Sequence, residues 1–212
     1  MQLIGMLDSP YVRRVAISLQ LLGLPFQHRS LSVFSTFEEF RRLSPVVKAP
    51  SLVCDDGAVL LDSTLILDYA EALARPRSLT PADPAALRQD LVVTGLALAA
   101  CEKSVQIVYE HRVRPPEKRH QPWLDRVTDQ MLTALDLLEA DIARRPLPAT
   151  SAALTQAAVT TGVVWHFIHA MLPQALPAGR FPQLQGFSAQ AEALPEFMAA
   201  PHGDGICRAG ER

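Results

Sequence analysis

Over the first third of the chain, short apolar runs alternate with amphipathic stretches; after it, only amphipathic stretches follow. Residues 1–7, MQLIGML, are apolar enough to predict a buried strand. Ser9-Pro10 then reads as a helix start, with a capping hydroxyl followed by proline at the first helical position. Val12, Val15, Ala16, Leu19 and Leu22 recur at three- and four-residue spacing, so one face of this helix is apolar; Gly23 closes it and Pro25 follows. FQHRSLSV, 26–33, alternates as a strand, and STFEEFRRL, 35–43, predicts a short helix entered at Ser35 or Thr36. Strand, helix, strand in this order predicts a parallel pair with a crossover.

The pattern then changes. KAPSLVCDDGAVLLDS, 48–63, holds two apolar runs around Asp55-Asp56-Gly57, a hairpin signal. Ser63 caps a further helix to about Ala74, completing a βαβ–ββα module over 1–75. RPRSLTPADP, with three prolines, supplies a linker over 76–84. The remainder, 85–212, reads as all-helical, with long patterns over 85–112, 122–144 and 155–172. Val127, Met131, Leu135, Leu138 and Ile142 form one stripe of the second. LQGFSAQAEALPEFMAA predicts one short helix, and the closing HGDGICRAGER is expected to fray.

Composition narrows the class. Of 212 residues, 49% are hydrophobic and 20% charged, which favours a packed core over disorder. A net charge of −2 gives no reason to expect a nucleic-acid or membrane partner. Cys54, Cys101 and Cys207 are odd in number, far apart and without ligand spacing, so neither a disulfide framework nor a metal site is expected. No signal segment opens the chain and no apolar run reaches about 18 residues without interruption. The expectation is a cytoplasmic protein.

Ser9-Pro10-Tyr11-Val12 has the form of a helix-start dithiol motif with both cysteines removed. Together with SPVVKAPSL (44–52), LLDSTLILDYAEAL (60–73) and LTPADPAALRQD (79–90), in that order and spacing, it resembles the cytosolic glutathione transferases. The serine-type subgroup, tau-like and bacterial, is most similar. The resemblance implies an α/β plus all-α protein, with a thioredoxin-like domain over 1–75, a linker over 76–84 and a C-terminal helical-bundle domain over 85–212. It also implies glutathione as co-substrate, a small electrophilic and largely apolar second substrate, and a homodimer.

Each candidate site residue has a plain structural reading beside the functional one. Ser9 is a helix cap, or the donor that holds the glutathione sulfur as thiolate; Tyr11 is a lesser candidate for that donor. Lys48 is a solvated lysine, or by resemblance the partner of the glycine carboxylate of glutathione. Ala49-Pro50 is expected to be trans from base preference and cis from the resemblance, which also implies pairing of the Ala49 backbone with the cysteinyl backbone of glutathione. Asp62 and Ser63 cap a helix; by resemblance they take the γ-glutamyl amino group and carboxylate. Aspartate is one methylene shorter than the family's usual residue at 62, and Val47 stands where many members have glycine or a polar residue.

Tyr11, Phe34, Tyr109 and Trp165 are candidates to line a second-substrate pocket, although aromatic residues on helices are more often core. His166 and His169 lie three apart without an acidic or thiol neighbour and are read as core or partly exposed. LTQAAVTT, 154–161, resembles a Ser/Thr-x-x-Asp capping box in which Thr155 is present but Ala158 replaces the aspartate. Two alternatives to transferase activity stand open. One is a non-catalytic glutathione-binding or interaction protein; the other is a glutathione-dependent thiol reductase or isomerase, reductase chemistry normally needing a cysteine where Ser9 stands.

Overall fold

In a computed structural model, which describes residues 1–208, the chain divides into two compact units. One comprises Met1–Thr80 with the segment from Glu192 onward, the other Pro81–Ala191. The first is the thioredoxin-like module and the second is helical.

In the first unit, β1 (Gln2–Ile4) leads to α1 (Pro10–Leu21), then β2 (Gln27–Arg29), α2 (Phe37–Leu43), β3 (Ser51–Val53), β4 (Val59–Leu61) and α3 (Ser63–Ala74). The sheet order is β2-β1-β3-β4, with β1 parallel to β2 and antiparallel to β3, and β3 antiparallel to β4. Register pairs Leu3 with His28 and with Leu52. β2 is shorter than the alternation over 26–33 predicts; Ser32 beyond it turns back to accept from Phe34 and Ser35. The β3–β4 turn closes through Cys54 N–H donating to Ala58 O and Gly57 N–H to Cys54 O. α1 ends at Gly23, whose φ of +72° lets its N–H reach Gln20 O and the next N–H, of Leu24, reach Leu19 O. The predicted apolar face of α1 is buried throughout.

Two adjacent arginines of that helix are buried as well. A buried guanidinium needs acceptors for its fixed fork of donors. Arg13 finds them in the C-terminal segment: Nη1 and Nη2 donate to the Glu192 carboxylate at 2.7 and 2.6 Å, Nε donates to Ala200 O at 2.7 Å, and the group lies over the Phe197 ring. This corrects the reading of 85–212 as one helical domain. Residues 192–208 belong with the first unit because Arg13 and the β2 edge hold them there. Ser30 Oγ donates to Asp204 O, and Cys207 N–H donates to His28 Nδ1. Up to residue 208 the tail is therefore tied down rather than frayed; 209–212 lie outside the described residues. The single late helix predicted from the sequence is two, α7 (Pro182–Glu192) and α8 (Pro195–Ala199), because Pro195 cannot continue the first.

The second unit packs α4 (Pro84–Arg112) along α5 (Gln121–Arg144) and α6 (Gln156–Met171). The stripe from Val127 to Ile142 is buried as its spacing predicts. At 29 residues, α4 is long enough to cross a bilayer, yet its buried face carries Asp90. That carboxylate supplies what the capping motif at 155–158 lacks. Thr155 Oγ1 accepts from Ala158 N–H at 3.4 Å, and Asp90 Oδ2 accepts from Ala157 N–H at 3.3 Å. The acid missing from α6 is thus brought to its N-terminus by another helix. α7 is treated the same way: Glu139 accepts from the N–H groups of Gln183 and Leu184.

Candidate functional site

The five residues predicted to contact glutathione, Ser9, Lys48, Ala49, Asp62 and Ser63, belong to the first unit, on three neighbouring stretches: the start of α1, the turn before β3, and the start of α3. Ser9 is the N-cap of α1, in extended conformation (φ −72°, ψ 120°). Its Oγ accepts from Val12 N–H at 3.4 Å, a long bond that commits the oxygen weakly and leaves the hydroxyl hydrogen to another partner. Pro10 occupies the first helical position, as its fixed φ favours. The hydroxyl is half-buried, at the end of the helix where backbone N–H groups favour negative charge.

Gly5, at the exit of β1, brings the turn before β3 against this helix start. Its φ is +136°, and a Cβ placed there would lie 2.6 Å from Val12 Cγ2 and 3.2 Å from Ala49 Cβ. No side chain fits between Val12 and Ala49, so only glycine permits the approach. The Ala49-Pro50 peptide is cis, as the resemblance implied and base preference did not. Lys48 and Asp62 find each other across this surface, Nζ lying 3.1 Å from Oδ2, with both side chains about half exposed.

Asp62, rather than Ser63, is the N-cap of α3; Ser63 is the first helical residue. Asp62 adopts φ +73°, a region that residues other than glycine rarely visit, and its Oδ1 accepts from Thr64 N–H at 2.9 Å. Burial works against its charge. The Thr64 N–H and the Lys48 ammonium, helped by the Leu65 N–H, outweigh burial and hold the carboxyl below its ordinary value of 3.8. Ser63 is buried, and its Oγ accepts from Arg14 Nη1 at 3.2 Å. An oxygen engaged in this way keeps its own hydrogen to donate. Arg14 therefore joins α1 to the first turn of α3 and sets a cation beneath it. Sequence reading missed both Arg14 and Gly5. The available signals were an arginine adjoining the apolar stripe of α1 and a glycine inside an apolar strand run.

The pocket candidates fare differently. Tyr11 is half-buried on α1, and Phe34 is exposed in the β2–α2 connection. Tyr109 is exposed on α4. Trp165 is core: it is 6% exposed, with Phe181 edge-on at 5.6 Å and His169 at 6.3 Å, and so cannot line an open pocket. No group of three or more metal-ligating side chains occurs among the described residues. None of the three cysteines lies at the start of α1: Cys54 is in the β3–β4 turn, Cys101 is buried on α4, and Cys207 is in the tail.

Residues 3–78 match the glutathione S-transferase N-terminal domain. The chain is 25% identical over 163 residues to the uncharacterized GST-like protein YibF of Escherichia coli, a match covering 77% of this chain and 80% of that one. A glutathione transferase family member from Pseudomonas fluorescens Pf-5, solved with bound S-(propanoic acid)-glutathione, superimposes with a TM-score of 0.78 at 29% identity, covering 94% of this chain and 98% of that one. A glutathione S-transferase from Methylobacterium radiotolerans, in complex with glutathione sulfonate, gives a TM-score of 0.82 at 28% identity and 95% coverage of each chain.

Proposed function

We propose, from the match of residues 3–78 to the glutathione S-transferase N-terminal domain and from the similarity to glutathione transferase structures, that the chain is a glutathione transferase that transfers the glutathionyl group to small electrophiles. The observation that carries this reading is the pairing of Lys48 with Asp62 and of Arg14 with Ser63. These contacts join the start of α3 to the turn before β3 and to the helix that Ser9 begins. Glutathione is a tripeptide with two carboxylates, one amino group and one thiol. In this site Lys48 takes the glycine carboxylate, the Ala49 backbone pairs with the cysteinyl backbone, and Ser63 with the start of α3 takes the γ-glutamyl carboxylate. Asp62 receives the amino group.

The chemistry then falls to Ser9. A free thiol has a pKa of about 8.5, so only a few per cent is thiolate at neutral pH. Lowering that value by two units requires about 2.7 kcal/mol of preference for the thiolate. The Ser9 hydroxyl and the N-terminal N–H groups of α1 supply donors for it. The thiol proton passes to solvent. The sulfur lone pair forms the C–S bond, and the electrophile's leaving group departs with the electrons of the broken bond. No thiol of this chain takes part, which sets thiol reduction aside in favour of conjugation.

Two copies associate in this reading. Leu65, Tyr69 and Leu73 form an exposed apolar stripe along α3, and Leu91 and Val92 are exposed on α4. Size-exclusion chromatography with light scattering is expected to give twice the chain mass. A cytoplasmic location is part of the same reading. Retention on immobilised glutathione followed by turnover of chlorodinitrobenzene tests the activity. Retention with turnover supports it. Retention without turnover across a panel of electrophiles makes the protein a glutathione-binding module instead, and no retention overturns the site.

A further inference from the structure

Val47 is the one β-branched residue among the described residues with a backbone in the left-handed region, at φ +52°. For such a side chain this conformation is a true outlier, held only where surrounding contacts over-determine it. Three sets of contacts do so. The Val47 side chain packs against the buried cluster of Ile4, Leu31 and Phe40, beneath β1 and α2. Its N–H donates to Ser44 O at 2.9 Å, closing a turn through Pro45 and Val46. On the far side, buried Ser51 Oγ donates to Lys48 O at 2.7 Å and lies 2.9 Å from Ser44 Oγ, so both ends of the turn are tied to the start of β3.

The residue that follows this strained position is Lys48, whose ammonium meets Asp62. The next is Ala49, which fits against Gly5 with no room to spare. We infer that Val47 is a positioning residue: its side chain, anchored in the β1–α2 cluster, holds the backbone left-handed so that Lys48 faces Asp62 and Ala49 lies against Gly5. Glycine adopts this φ without cost but leaves the turn unpinned; alanine keeps the steric penalty and loses the anchor. Isoleucine keeps the anchor. A valine here trades local strain for a fixed lysine, which a glycine-containing turn does not do. The consequence for ligand binding rests on the glutathione reading above; the consequence for Lys48 and Asp62 does not.

The test has two arms, on the full-length protein. Without ligand, the Asp62 carboxyl is titrated by carbon NMR in the wild type, V47G, V47A and V47I. Loss of the Lys48 partner in V47G and V47A moves the Asp62 midpoint up toward its ordinary value, and V47I leaves it at the wild-type position. With glutathione, V47G raises KM about five- to tenfold and changes kcat less than twofold. Adding V47G to K48A raises KM by less than V47G raises it in the wild type, because part of the effect passes through Lys48. An unmoved Asp62 midpoint in well-folded V47G and V47A overturns the inference, since Val47 is then core packing alone. A shifted midpoint in a protein that ignores glutathione upholds the positioning role and overturns the glutathione reading.

Discussion

Two helix starts in the same unit solve the same problem in opposite ways. α1 begins at a serine in relaxed extended geometry, with one long hydrogen bond at 3.4 Å. α3 begins at an aspartate with φ +73°, bound at 2.9 Å to Thr64 N–H and at 3.1 Å to Lys48, next to a buried serine held by Arg14. The first is loosely committed, and the second is locked before any ligand arrives. A group meant to donate to a developing thiolate must be free to turn toward it. Groups meant to recognise fixed carboxylate and ammonium ends gain from being held in place. The contrast is what the proposed division between chemistry at α1 and binding at α3 would require.

The largest expected effect is at α1. Ser9→Ala removes the donor, and kcat/KM for chlorodinitrobenzene conjugation is expected to fall about 100-fold, in the range seen when a single stabilising donor is lost. The pH–rate profile moves up toward the ordinary thiol value. Stability falls by only about 0.5 kcal/mol, the low end for a lost cap, since the bond is long. Wild-type turnover in this variant would remove Ser9 from the chemistry and leave it a cap.

A smaller effect is expected at α3, and it falls on binding. Asp62→Ala gives up the Thr64 cap and the Lys48 partner together, so glutathione affinity measured by calorimetry drops about tenfold while kcat holds. Asp62→Asn keeps an acceptor for Thr64 N–H but no charge for Lys48 or for the ligand's amino group. If Asn restores affinity, the charge is irrelevant and α3 merely caps.

The smallest effect separates the two starts by pH. His28 Nε2 lies 2.7 Å from Gly5 O, just ahead of the turn into Ser9, while Nδ1 accepts from Cys207 N–H. The ring is therefore neutral, with its hydrogen on Nε2. Burial lowers its pKa below the ordinary 6.5, and the contact with Gly5 offsets part of that. Because the unfolded chain binds the proton more readily, stability is complete above about 6.5 and declines as pH falls from there through the lowered folded value. Asp62 has the same sign of dependence in a lower window: its pKa is lowered from 3.8, so its contribution is present above that value and lost only in stronger acid. Denaturant titrations from pH 7.5 to 5 should show stability declining in the wild type and a flatter line in His28→Gln. Equal slopes would show that the ring does not couple the tail to β1.

The helical periodicities were legible because each element buries a continuous face, so Val127 to Ile142 and Val12 to Leu22 declared themselves locally. The Asp55-Asp56-Gly57 turn and the Ser9, Asp62 and Thr155 caps were legible for the same reason: their hydrogen bonds close within a few residues. Trp165 shows the limit, since one aromatic on a helix does not say which side is inward. Asp90 shows it better. The sequence displays a capping motif lacking its acid, and nothing near position 158 tells that an aspartate more than sixty residues earlier will stand at that helix start.

By itself, then, the sequence determined the order of elements, where most helices begin and end, and which short motifs carry the candidate chemistry, because these depend on interactions between near neighbours in the chain. Tertiary structure alone decided that residues 192–208 belong with the first unit, that Arg14 lies under Ser63, that Gly5 admits Ala49 to the start of α1, and that Val47 is held left-handed beside Lys48. Each of these depends on a buried donor, a missing side chain or a strained backbone meeting a partner far away in the chain. No local pattern records such a meeting.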